Sequence, residues 1–264
     1  MSVNSDNAPL PIVIGTMQRF APYSRVNLSQ GETRAMETSG HLAEFLLAQP
    51  YLDLGKLFEP EPVLKEALAH SAEFVPHSGG SNASAGWRSL AIKSSGGDST
   101  RTEATHRYRE SMAQQTTFTP LWSTCPATKA VLSSTAKVDA ARRIRFMMVE
   151  PGGYIAPHKD SDDFLSVTVN YVVNVPEGSR FWVDISADGT HGPMTRAIPL
   201  IPGHIILINV ACCHALRNSA AVSRIHIIVE GGLSMNLEGL LYAQIEAVNM
   251  RDVRKRALQR IALL

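Results

Sequence analysis

Cysteine is scarce. The chain of 264 residues has three, and two of them, Cys212 and Cys213, are adjacent. That is too few, and too badly spaced, for a disulfide framework, so a reducing cytoplasm is the expected setting. Charge of one sign is also missing. The formal net charge is +1, which excludes the strong field that would draw the protein to nucleic acid or a membrane surface. No apolar run reaches the ~18 residues needed to span a bilayer. The start, MSVNSDNAPLPIVIGTM, lacks the basic opening and long apolar core of a signal peptide. No internal repeat is visible. What remains is ordinary for a soluble globular protein, 44% hydrophobic and 19% charged. The length fits one large domain or two small ones, and residues 1–264 are read as a single domain because all-β barrels of this size are often single.

The chain divides by pattern. Residues 1–29 are polar and proline-bearing, with one short apolar run at Ile12–Ile14, and read as a loose tail. Gly31 to Ala48 reads as a helix with Leu42, Phe45 and Leu46 on one side, ended by Gln49-Pro50. Pro62 to His70 is a second short helix, and Val75 to Ala85 a loop. Gly86 to Ile92 alternates as a strand should. Lys93 to Gln115 is long and polar, a candidate lid over a site or a surface insertion. Ala127 to Ala136 reads as another helix. Strands are then expected over Ile144–Val149, Leu165–Asn174, Arg180–Ile185, Ala197–Ile201, Ile205–Val210 and Ser223–Val229, with turns about every ten residues. Gly152-Gly153, Pro176-Glu177-Gly178 and Pro202-Gly203 mark three of those turns. Short strands at this spacing predict a mainly β fold, a double-stranded β-helix (jelly-roll) with flanking N- and C-terminal helices. Residues 1–135 would form a helical and loop layer with the lid, 136–232 the core, and 233–264 a closing helix carrying a basic run from Arg251 to Arg260.

The chemistry concentrates in RFMMVEPGGYIAPHKD, Arg145 to Asp160, and HALRNSAAVSRIHIIVE, His214 to Glu230. His158 and Asp160 are two apart, so on an extended chain both side chains leave the same side. One imidazole and one carboxylate can then share a metal ion. His214 is the best candidate for a third ligand. Two histidines and one carboxylate on one face of an ion, with the other face open, is the ligand set of non-haem Fe(II) oxygenases. Arg224 follows on the last strand, where its planar guanidinium could hold the far carboxylate of a dicarboxylic co-substrate in a bidentate pair. Arg145 lies on the strand leading into the HxD turn and is a second candidate for a carboxylate. On the Leu165–Asn174 strand, Ser166, Thr168 and Asn170 share one face and could donate hydrogen bonds to it.

These segments resemble the Fe(II)/2-oxoglutarate-dependent dioxygenases. The wording RFMMVEPGGYIAPHKD, PGHIILINVACCHALRN and SRIHIIVEG is similar to the aspartyl/asparaginyl β-hydroxylase-like branch, which includes proline cis-hydroxylases. The resemblance covers roughly Trp87 to Gly231. It implies a hydroxylase that takes Fe(II) as cofactor and 2-oxoglutarate and O2 as co-substrates. The metal would sit on His158, Asp160 and His214, and 2-oxoglutarate on Arg224. It also implies a small-molecule substrate, an amino acid or a metabolite derived from one, oxidised at an unactivated C–H bond. The presence of Asp160 favours hydroxylation over the halogenation of related enzymes.

Other readings stand beside these. His158 and Asp160 could form a chance surface turn, and His214 could be a satisfied core histidine. Cys212 and Cys213 point to opposite faces if extended, so both cannot join His214 at one metal. His226 shares a face with Arg224, lining the cavity or packing in the core. His191 and His204 fall in turns and are expected to be exposed, and Asp162 and Asp163 are solvated loop charges. Arg88, Arg101, Arg107 and Arg109 are cationic candidates for a carboxylate-bearing substrate. The terminal helices offer a route to a homodimer. The same site could instead perform desaturation or cyclisation, and a different class of protein, a non-catalytic cupin-like metal binder, would also use such strands.

Overall fold

The computed structural model describes residues 46, 50–77, 84–101, 116–160, 167–184, 195–230 and 234. The tail, the first helix except Leu46, the closing helix with its basic run, most of 93–115, and Ser166 lie outside the described residues.

In chain order the elements begin with β1 (Tyr51–Lys56), helix α1 (Pro60–Ala69), β2 (Val75–Pro76) and β3 (Ala85–Ser95). Next come β4 (Thr116–Phe118), α2 (Leu121–Thr124), α3 (Pro126–Thr135) and the long strand β5 (Arg143–His158). The remaining strands are β6 (Val167–Val172), β7 (Ser179–Asp184), β8 (Thr195–Ala197), β9 (His204–Asn209), β10 (His214–Asn218) and β11 (Arg224–Glu230). Among the described residues no helix is long and apolar enough to cross a membrane.

The pairing path is β1-β9-β6-β11-β5-β10-β7-β8, antiparallel throughout. β5 belongs to both halves of it. Its first half pairs with β11 and β3, and its last residues pair with β10. The sheet therefore curls into two layers, β9-β6-β11-β5 facing β5-β10-β7-β8. That is the double-stranded β-helix expected from the strand spacing. β1 and β3 extend the first layer at its two sides.

Alternation decides what each face of the first layer meets. One set of side chains, including Phe146, Tyr171, Ile225, Ile227 and Leu207, packs under Val63 and Ala67 of α1 and Leu132 of α3 in the main core. Fully burying a large apolar side chain contributes about 1.5–3 kcal/mol, so this layer carries much of the stability. The two helices are tied to each other by Glu66. Its carboxylate accepts from Ala127 N, Thr128 N and Thr128 Oγ1 at 2.7–2.8 Å, capping the free N–H groups of α3. The opposite set points between the layers. At one end it is apolar, with Val172, Ile206 and Ile208 against Val183 and Ile198. At the other it is polar and forms the site.

Several expectations change. Gly152-Gly153 makes no hairpin: β5 runs through it with a bend that hands the strand from one layer to the other. Gly152 has φ +74, and a Cβ on Gly153 would stand 2.9 Å from the carbonyls of Ala85 and Glu150, so glycine permits the close crossing of β3. The Gly86–Ile92 strand continues to Ser95, because buried Lys93 donates to the carbonyls of Val138 and Asp139 at 2.8 and 2.7 Å. That removes Lys93–Ser95 from the polar loop. β8 ends at Ala197, two residues before Pro199, which has no N–H to give a ladder. β1 and β10 are strands that the sequence pattern did not signal.

Gly153→Ala is expected to destabilise the protein by about 1–3 kcal/mol in urea unfolding, since backbone must move to admit the methyl group; an unchanged midpoint would show that the crossing is loose. Cys125 is buried at the start of α3, and burial, with the Glu66 and Glu73 charges, pushes its thiol up to about 11. Native protein at pH 8 should therefore alkylate Cys125 far more slowly than urea-unfolded protein does. Equal rates, read by mass spectrometry, would contradict this.

Candidate metal centre

The last residue of β5 and the first of β10 are cross-strand partners. His158 faces His214, and His214 also faces Val183 of β7. Partners in an antiparallel ladder project to the same side, so the two imidazoles meet with centroids 4.4 Å apart. Asp160 comes two residues after His158, held by its N–H donating to Val210 O at 2.9 Å. His158 Nε2 lies 3.2 Å from Asp160 Oδ1, and His214 Nε2 lies 3.9 Å from Oδ2. The three ligand atoms fall within 4.8 Å of one another.

Each ring is held from behind. His158 Nδ1 donates to Ala156 O at 2.8 Å, and His214 Nδ1 to Cys212 O at 3.0 Å. With the proton on Nδ1, each Nε2 keeps its lone pair for the shared point, an outer-shell arrangement typical of metal-binding histidines. The electrostatics agree. Burial would raise the Asp160 carboxyl, but the hydrogen bond from His158 and the His214, His158 and Arg145 charges outweigh it and hold it at about 2. Burial would likewise lower His158, and the Asp160 carboxylate overrides it, moving the ring above its ordinary value. His214 is lowered by burial. A divalent metal placed among the three ligand atoms would supply a positive charge and satisfy all of them. Two neutral imidazoles and one carboxylate suit a first-row metal with several positions left open. Asp160 keeps 47% of its side-chain surface exposed, so the cluster has an open side.

Arg224 and His226 of β11 lie on the inner face, opposite Val149 and Met147 of β5. Arg224 is buried, 4% exposed, and its Nε has no hydrogen-bond partner. Burial pushes its guanidinium down to about 9, still a cation at neutral pH. Its one hydrogen bond among the described residues is from Nη1 to His226 Nδ1 at 3.3 Å. Thr168 and Asn170 are buried on the same wall, Asn170 Nδ2 donating to Thr168 Oγ1 at 3.0 Å. Arg145 is inward too, but it and Arg143 both reach Glu230 Oε1, Arg145 at 3.3 Å. An internal carboxylate already answers that arginine.

Other residues join that sequence reading did not single out. Trp87 is opposite Val149, and its ring is 5.7 Å from His158. His77 packs on Trp87 at 4.2 Å, and burial together with Arg145 and Arg143 lowers it to about 2, so it is neutral. Phe181 lies 6.0 Å from His214. The only signal for Trp87 and Phe181 was strand alternation, which cannot say what a side chain will face, and His77 fell in a segment read as a loop. Cys212 and Cys213 are buried and contribute no sulfur to the metal-capable group among the described residues. Arg88 is occupied by Glu150 and by the carbonyl of Phe74, a structural clamp rather than a substrate ligand. His204 pairs with Asp53 at 3.0 Å across β1 and β9 instead of standing free in a turn. His191, Asp162, Asp163, Arg107 and Arg109 lie outside the described residues.

The family described as aspartyl/asparaginyl β-hydroxylase matches residues 61–231 of this chain. No curated protein sequence matches it. Among solved structures the chain is similar to a prolyl-4-hydroxylase from Pseudomonas putida, at 14% identity over 72% of this chain and 98% of that one, TM-score 0.42. It is also similar to a 2OG-Fe(II) oxygenase family oxidoreductase from Burkholderia pseudomallei, at 12% identity over 80% and 97%, TM-score 0.46. A third is a prolyl hydroxylase from Trichoplax adhaerens, solved with a hypoxia inducible factor peptide, at 15% over 81% and 97%, TM-score 0.45.

Substituting alanine for His158, Asp160 or His214 should each weaken divalent-metal binding by more than the ~10–100-fold that an outer-shell change costs. Cys212→Ala and Cys213→Ala should leave it in place. Calorimetric titration with Co(II) reads both, and strong binding by His214→Ala protein would remove that residue from the site.

Proposed function

Because the chain belongs to the aspartyl/asparaginyl β-hydroxylase family, we propose that it is a non-haem Fe(II)/2-oxoglutarate-dependent dioxygenase that hydroxylates an unactivated C–H bond of an amino acid or an amino-acid-derived metabolite. One observation carries this reading: an open His-Asp-His cluster shares the space between the two sheet layers with a buried arginine that has no carboxylate partner among the described residues. Neither half is explained by stability. A buried cation with no counter-ion costs several kcal/mol, and three donors aimed at one point repel unless a cation lies between them.

In this reading His158 and His214 hold the iron through Nε2, and Asp160 supplies the negative charge. Iron, once bound, supplies the oxygen activation. Arg224 takes the distal carboxylate of 2-oxoglutarate in a two-point contact that fixes its direction, and Thr168 and Asn170 donate to the same molecule. Burial of that pair strengthens it, since little water competes. The small-molecule substrate enters from the exposed side of Asp160, past Trp87.

Fe(II)-loaded protein given 2-oxoglutarate and O2 should form succinate, and candidate amino acids should accelerate it. Chelation should stop it, and Fe(II) restore it. Arg224→Ala should raise the 2-oxoglutarate concentration needed for half-saturation by about 10–100-fold, the loss of a charged hydrogen-bonded contact worth about 1.5–3 kcal/mol. Unchanged saturation would assign the carboxylate to another residue, and absence of succinate under all conditions would overturn the reading.

A further inference from the structure

We propose that His226 is a positioning residue for the co-substrate: it orients the Arg224 guanidinium and offers a second N–H to the same distal carboxylate. The inference rests on the function proposed above and names a residue that neither the HxD motif nor the distal arginine requires.

Arg224 and His226 occupy successive inward positions of β11, and inward residues of β5 and β6 flank them, His226 opposite Met147 and Val172. Both are buried, 4% and 6% exposed. A guanidinium has only donors, so at the 3.3 Å contact Nη1 donates and Nδ1 accepts. An imidazole that accepts at Nδ1 carries its one proton on Nε2. Burial, followed by the Arg224 and Arg145 charges, lowers His226 well below its ordinary value, so the ring stays neutral and the tautomer is fixed. Nε2–H then has no acceptor among the described residues, and neither does Arg224 Nε.

The pair therefore presents donors and no acceptor in one sheltered place. Buried polar atoms are ordinarily hydrogen-bonded, and Arg224 Nε is not. The complementary group is an oxyanion with two lone-pair-bearing oxygens, and a terminal carboxylate has that form. The Nδ1 contact also removes rotational freedom from the guanidinium before ligand arrives, which favours affinity through preorganisation.

The test compares two ligands on Mn(II)-loaded protein by calorimetry: 2-oxoglutarate, and 2-oxobutyrate, which keeps the metal-chelating end and lacks the distal carboxylate. His226→Leu should weaken 2-oxoglutarate by about tenfold and leave 2-oxobutyrate unchanged. His226→Asn, whose Oδ1 can take the place of Nδ1, should recover part of the loss, and it replaces the leucine variant if that does not fold. In turnover the change should fall on KM for 2-oxoglutarate rather than on kcat. Equal loss for both ligands, or none for either, overturns the proposal while the co-substrate assignment stands. Wild-type protein that binds the two ligands alike removes the assignment and the proposal together.

Discussion

The antiparallel register of β5 against β10 is the constraint on which the site depends. It sets His158 opposite His214 and so brings together two ligands that lie far apart in the chain. A slip of one residue would turn every side chain of β10 to the other face. His214 would then leave the cluster, and Leu216, now packed with Val149 and Ile155, would leave its apolar contacts. Core packing and ligand placement are thus fixed by the same pairing. The bend at Gly152-Gly153 serves it too, because only a strand that crosses between layers can pair with β11 at one end and β10 at the other.

Two treatments of buried positive charge sit on the same face. Arg143 and Arg145 meet Glu230, the last residue of β11, directly across the ladder from Arg143. Opposite charges placed so are mutually satisfying, and those arginines help close the end of the sheet while burial, aided by their field, keeps His77 neutral. Arg224, at the other end of the same strand, has only a neutral imidazole beside it. The contrast within one strand gives Arg224 a role that stability does not require of it.

Much of this could be read before any coordinates. The period of two in VTVNYV and RIHIIVE separates the core face from the cavity face correctly, with Tyr171, Ile225 and Ile227 outward and Asn170, Arg224 and His226 inward. The single residue between His158 and Asp160 was enough to put them on one side. Less was legible where function depends on a distant partner. HALRN has too few β-branched residues to look like a strand, and becomes β10 because β5 and β7 flank it. Gly152-Gly153 resembles a turn locally, and only the crossing of Ala85 makes it a bend. The occupation of Arg88 by Glu150, and of Arg145 by Glu230, follows from ladders between segments more than sixty residues apart.

A crystal structure of the protein with Mn(II) and 2-oxoglutarate, prepared without O2, tests the central claim most directly. One ion should be bound by Nε2 of His158, Nε2 of His214 and a carboxylate oxygen of Asp160, with the far carboxylate of the keto acid on Arg224. An ion elsewhere, or that carboxylate docked on Arg145 with Arg224 left unengaged, would contradict it.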